Sequence, residues 1–143
     1  MAVIDTRDRG VALHPLHAVL LASTLPLFLG AVLSDWAYAS TYEIQWTNFA
    51  SWLIAGGLLF GVIVLAWALV AWFVDAGRPR GRATLYLVAV LAMWVTGFIN
   101  ALVHGKDAWA GMPEGLVLSV VVALLAIVAT WIGFSTPRAG GVR

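Results

Sequence analysis

The chain has no cysteine and very little charge: eight Lys and Arg and seven Asp and Glu in 143 residues. The missing thiols exclude disulfides, Cys-ligated zinc, iron–sulfur clusters, covalent haem attachment and a Cys nucleophile. Charged residues make up 10% of the chain, less than half the usual share for a soluble domain, and no long basic tract is present to grip nucleic acid. Hydrophobic residues make up 62%, more than a soluble domain of this size can hide from water. So little charge with 12% aromatics argues equally against disorder. What remains is a membrane protein.

Four stretches lack Asp, Glu, Lys and Arg: 10–34, 44–74, 83–105 and 115–137. Each meets the ~20 apolar residues that a span requires. The pattern predicts helices near 15–36, 48–73, 83–104 and 114–134, forming a four-helix up-down antiparallel transmembrane bundle that fills a single domain, 1–143. Pro15 suits a first helical turn, where its missing N–H would be unpaired anyway. Thr24 and Pro26 predict a kink in the first helix, and Pro113 marks the start of the fourth. Pro79 falls in the turn between the second and third helices and Pro137 just beyond the fourth. Ala37-Tyr38-Ala39 has the form of a signal-peptidase site, but the preceding apolar run is roughly twice as long as a normal signal core, so four spans are expected.

The basic residues orient the bundle. Arg7 and Arg9 precede the first helix, Arg78, Arg80 and Arg82 separate the second from the third, and Arg138 and Arg143 follow the fourth. Only Lys106 lies on the other side. Positive residues stay in the cytoplasm, so both termini are expected there. The loops at about 36–47 and 104–113 are then outside, with Trp36, Trp46 and Trp109 in an outer interfacial belt and Trp67 and Trp72 in an inner one.

Three histidines limit any imidazole chemistry: His14, His17 and His104. His14 and His17, in HPLH, are spaced to hold part of a metal or haem site, or to cap the helix and sit at the interface. Asn100 and His104 share one face of the third helix, and with Asp35 and Asp107 they can converge on an outer polar pocket roofed by Trp36 and Trp109. That pocket reads either as a site for a ligand or partner loop or as a network that locks the helical hairpins together. His14 and His17 lie ~30 Å from His104, so no single haem iron joins the two levels within one chain. Gly57 and Gly61 form a GxxxG pair that serves close packing, within the bundle or at a homodimer seam. No Ser, His and acid constellation is evident at one depth, so hydrolase or transferase chemistry is not expected. Nor does any chain of buried carboxylates cross the membrane to couple an ion to transport.

HPLHAVLL, LPLFLGAVLSDWAY, WTNFASWLIAGGLLFG and NALVHGKDAWAGMPEGLVLS resemble segments of the bacterial domain-of-unknown-function family 2231, over about His14 to Ser135. The resemblance implies a small polytopic inner-membrane protein and points to His14, His17, Asp35, Asn100, His104, Asp107 and Trp109. Some relatives are joined to Rieske-type iron–sulfur domains or encoded beside periplasmic sugar dehydrogenases, which implies a redox setting. The sequence therefore leads to an accessory or anchor protein of a membrane-linked redox system, without catalysis of its own, with a polar site at the periplasmic edge. Quinone or haem are the cofactors to look for, and a periplasmic redox protein is the partner. The alternatives are a small-solute or metal-handling membrane protein and a structural bundle without a ligand.

Overall fold

The computed structural model describes residues 13–74 and 80–135. They form four long helices, α1 (Pro15–Thr41), α2 (Ile44–Val74), α3 (Gly81–His104) and α4 (Glu114–Phe134), with a single 3-10 turn, Ala108–Gly111, between the last two. All four are long and apolar enough to cross a membrane. Arg7, Arg9, Arg78, Pro79, Pro137, Arg138 and Arg143 lie outside the described residues.

The helices form a ring: α1 packs on α2, α2 on α3, α3 on α4, and α4 closes onto α1. α1 and α3 therefore lie on a diagonal and run parallel. In α1 the buried positions include His17, Leu21, Thr24, Phe28, Ala31, Asp35 and Tyr38, and in α2 they are Thr47, Ala50, Ile54, Gly57, Gly61, Val64 and Ala68. Alternating steps of three and four give a repeat of ~3.5 residues, the spacing of left-handed helix bundles. The buried side mixes small and polar residues with a few large apolar ones such as Leu21, Phe28 and Ile54, and the outer side is large and apolar. Trp52, Val74 and Trp131 are each at least 75% exposed, as lipid-facing groups are. Simple hydropathy therefore marks the spans but does not show which face turns inward.

The helix ends depart from the sequence expectation on one side. α1 continues to Thr41 instead of ending near 36, and α2 begins at Ile44 instead of near 48. The anticipated outer loop thus shrinks to Tyr42 and Glu43. Apolar composition ends at the hydrocarbon boundary, but the helix continues beyond it because no breaker intervenes. Ser40 and Thr41 donate their hydroxyls back to the carbonyls of Trp36 and Ala37, at 2.9 and 2.8 Å. Tyr42 then ends the helix in the left-handed conformation, with φ 57° and its N–H bound to the Tyr38 carbonyl. At the other end of α1 the helix starts as expected: Pro15 opens it and His14 caps it, its Nδ1 accepting from the Leu16 N–H at 3.3 Å.

Gly57 and Gly61 both face the interior. A Cβ at Gly57 would sit 2.7 Å from Phe28 of α1, and one at Gly61 would sit 3.3 Å from Trp94 of α3. The GxxxG pair therefore serves packing within the chain, and these glycines are not available as a homodimer seam.

Candidate functional site

Apart from Thr24, whose hydroxyl bonds the Leu21 carbonyl, the polar side chains that the bundle buries gather toward its two ends, separated by an apolar layer of Leu21, Phe28, Val64, Val90, Met93 and Val122. At the end where α3 stops, Asp35 of α1 and His104 of α3 meet across the diagonal, with Oδ1 and Nε2 2.8 Å apart. Ser119 of α4 donates its hydroxyl to the other carboxylate oxygen, Oδ2, at 2.5 Å, and Asn100 Nδ2 donates to Ser119 Oγ at 2.8 Å. His104 Nδ1 lies 3.0 Å from the Asn100 backbone carbonyl oxygen, one turn back on its own helix. Asp35 and Asn100 are completely buried, Ser119 is 1% exposed, and the His104 side chain is 3% exposed. Gly115 of α4 makes room for the imidazole, since a Cβ there would lie 2.9 Å from His104 Cε1. Three helices thus supply one closed network. Only the Asn100 side-chain oxygen within it has no hydrogen-bond partner.

The structure brings together Asp35, Asn100 and His104 and leaves Trp36 and Asp107 apart from them. Trp36 points outward, 63% exposed. Asp107 is exposed at the start of the 3-10 turn and makes no side-chain capping bond. Trp109 belongs to that turn, but its side chain lies outside what is described.

Ser119 was missed. A lone serine in the run GLVLSVVV carries no chemical signal by itself, although it falls four residues after the buried Gly115 and three before the buried Val122. Its presence corrects the expectation of no serine, histidine and acid constellation at one depth. The order of contacts nevertheless differs from a nucleophile–base pair, in which serine must bond imidazole. Here serine bonds the acid, and both imidazole nitrogens are committed, to Asp35 and to the Asn100 carbonyl.

At the opposite end His17 is 2% exposed, and its Nε2 meets the Tyr86 hydroxyl of α3 at 2.7 Å. Its Nδ1 has no hydrogen-bond partner. Trp67 of α2 packs against both His14 and His17, with ring centroids 5.2 and 5.4 Å apart. His17 is therefore a buried diagonal contact and not the interfacial group expected. Arg82 donates to the Ile132 carbonyl at 3.1 Å, which satisfies one free acceptor in the last turn of α4. Asp35 follows His17 by 18 residues and His104 follows Tyr86 by 18, which is ~27 Å of helix. The imidazoles thus stand at opposite edges of the bundle. Among the described residues no group of three His, Asp or Glu side chains is placed to hold a metal ion.

Beside the closed network an apolar groove of about 290 Å3 opens between the end of α1 and the α3–α4 connection, lined by Tyr38, Ala39, Tyr42, Met112, Pro113 and Leu116. No curated protein and no solved structure shows significant similarity to this chain. The model of the family described as "Predicted membrane protein (DUF2231)" matches residues 13–142, which take in all four helices, both buried histidines and the groove, and the chain belongs to that family.

Proposed function

We propose that the protein is an integral-membrane anchor or accessory subunit of a membrane-linked redox system, and that it meets its partner at the end carrying Asp35 and His104. The observation that carries this reading is the contrast, at that end, between a closed polar network and an open apolar groove. The network spends its donors on itself, and the cleft beside His104 lined by Thr47, Lys106, Gly111 and Met112 has no room for a water molecule. Turning over a substrate requires space at the reacting atoms. The neighbouring groove has space and carries tyrosine and methionine, side chains favoured in protein interfaces.

The helical hairpin beside it supports the same reading. Thr41 lies six residues beyond Asp35, so α1 reaches ~9 Å past the level of the network. Trp36, Tyr42 and Trp46 are exposed around that tip. By the positive-inside rule the arginines assign the tip to the side away from the cytoplasm. In a bacterial inner membrane that side is periplasmic, and what supports a redox setting is the company some relatives keep.

The test is photo-crosslinking in growing cells from benzoylphenylalanine placed at Leu116, with Leu124 on the lipid-facing surface as the control. A redox protein of the outer compartment trapped from Leu116 and not from Leu124 is the expected result. Lipid adducts alone, from a purified protein that shows no chromophore when oxidised or dithionite-reduced and carries no quinone, overturn the reading.

A further inference from the structure

The Asp35–His104 contact fixes a count of protons. His104 Nδ1 faces the Asn100 carbonyl oxygen at 3.0 Å, an atom that only accepts, so Nδ1 carries a hydrogen. Ser119 Oγ accepts from Asn100 Nδ2, which directs its own hydrogen to Asp35 Oδ2. One hydrogen remains, in the 2.8 Å space between Asp35 Oδ1 and His104 Nε2. Without it two lone pairs oppose each other and the buried unit is negative. With a second hydrogen two donors oppose each other and the unit is positive. Only single occupancy is both neutral and attractive, whether the proton rests on oxygen or on nitrogen. The two side chains, 0% and 3% exposed, have no water to solvate a net charge.

We propose that Asp35 and His104 form a proton-binding site whose single occupancy latches α1 to α3, and that losing that proton or gaining another releases the latch. α1 and α3 are diagonal in the ring, so side-chain contacts such as this one join them. The surroundings add little charge of their own. From α2 the cleft beside His104 receives the uncharged Thr47, and from the α3–α4 connection it receives Lys106, Gly111 and Met112. Lys106 is paired with Glu114 of α4 at 3.7 Å, both side chains more than half exposed. α4 otherwise contributes the neutral Ser119. The inference does not rest on the docking reading, and a bundle with no partner would carry the same site.

Asp35→Asn is the informative variant. The amide keeps the shape of the acid and presents a fixed N–H to His104 Nε2, so the contact survives without a removable proton. Melting temperature is measured against pH for both proteins in bilayers, alongside 15N spectra of the histidine-labelled wild type. The expected wild-type melting temperature falls as the pH is raised above neutrality, and that of Asp35→Asn does not. One of the three histidines is expected to show a hydrogen on Nδ1 and to lose its Nε2 hydrogen bond over the same pH range. Parallel melting profiles for the two proteins overturn the proposal, as does an imidazole at His104 without a hydrogen on Nδ1. Should Asp35→Asn not fold, the wild-type spectra decide alone: His104 signals that stay constant over the whole pH range in which the protein remains folded overturn it.

Discussion

Asp35 and His104 meet at 2.8 Å across the diagonal of the bundle, and the same two helices meet again 18 residues away, where His17 touches Tyr86 at 2.7 Å. Eighteen residues are five turns at 3.6 residues per turn, so each helix presents both of its polar groups from the same face. α1 and α3 are held in register at both ends by contacts of equal sequence separation, 69 residues. An imidazole takes part in each contact, contributed by α1 at one end and by α3 at the other.

Removing one partner of the Asp35–His104 pair leaves the other buried and uncompensated. His104→Leu is expected to cost ~3–5 kcal/mol of stability. Ser119→Ala, which leaves the pair itself intact, is expected to cost about 1 kcal/mol. Reversible unfolding in bicelles distinguishes the two. Equal losses would mean that the pair carries no special weight.

Gly57 is fixed by the ring of Phe28, itself 1% exposed and unable to swing into open space. Gly57→Ala is expected to destabilise the monomer by ~1–3 kcal/mol, and Phe28→Leu in the same chain is expected to restore part of that. The oligomeric state, read by analytical ultracentrifugation in detergent, is expected not to change. A wild-type dimer that dissociates in Gly57→Ala would contradict the inward placement.

Gly115→Ala tests the network from α4. The added methyl lies 2.9 Å from His104 Cε1 and pushes the ring off its partners. Its cost is expected to shrink when His104 is already replaced by Leu, a coupling that a double-mutant cycle measures. Strict additivity would show that the methyl acts elsewhere.

Trp36 and Asp107 supply the contrasting case. Both are exposed and stand apart from the buried network. Trp36→Ala and Asp107→Asn are each expected to change stability by less than about 0.5 kcal/mol, as surface substitutions do. Loss of the His104 histidine signal in either variant would place them back in the site.

Because the chain lacks cysteine, single cysteines report the membrane sides without background. Lys106→Cys is expected to react with an impermeant maleimide added to intact spheroplasts, and Arg82→Cys only after lysis. The reverse pattern would invert the bundle and move the groove to the cytoplasm.

The four spans were legible because a charge in hydrocarbon is costly, so runs free of Asp, Glu, Lys and Arg delimit them. Asp35, Asn100 and His104 were legible for the same reason, as polar groups at the edges of such runs. Tyr86 and Ser119 were not. A tyrosine near a span end reads as an interfacial anchor, and a serine in an apolar helix reads as neutral filler that bonds its own backbone. What identifies both is register. Tyr86 precedes His104 by the same five turns that separate His17 from Asp35, and Ser119 falls on the stripe that includes Gly115, Val122, Ala126 and Ala129. The ends of α1 and α2 were misplaced because hydropathy reports the lipid boundary, whereas hydrogen bonding determines where a helix stops.

The apolar layer between the two diagonal contacts gives the bundle an electrical character. Leu21, Val64, Val90, Met93 and Val122 are wholly buried there, Phe28 nearly so, and Thr24 spends its hydroxyl on the carbonyl of Leu21 at 2.7 Å. Such a layer is a dielectric slab, and the voltage across a membrane falls mainly over its slab. Moving a unit charge through the full drop involves ~2.3 kcal/mol per 100 mV. A proton that enters or leaves at Asp35 and His104 crosses only a thin outer margin of that drop. Proton exchange at the proposed Asp35–His104 site is therefore expected to follow the acidity of the compartment that this end faces and to respond only weakly to the membrane potential.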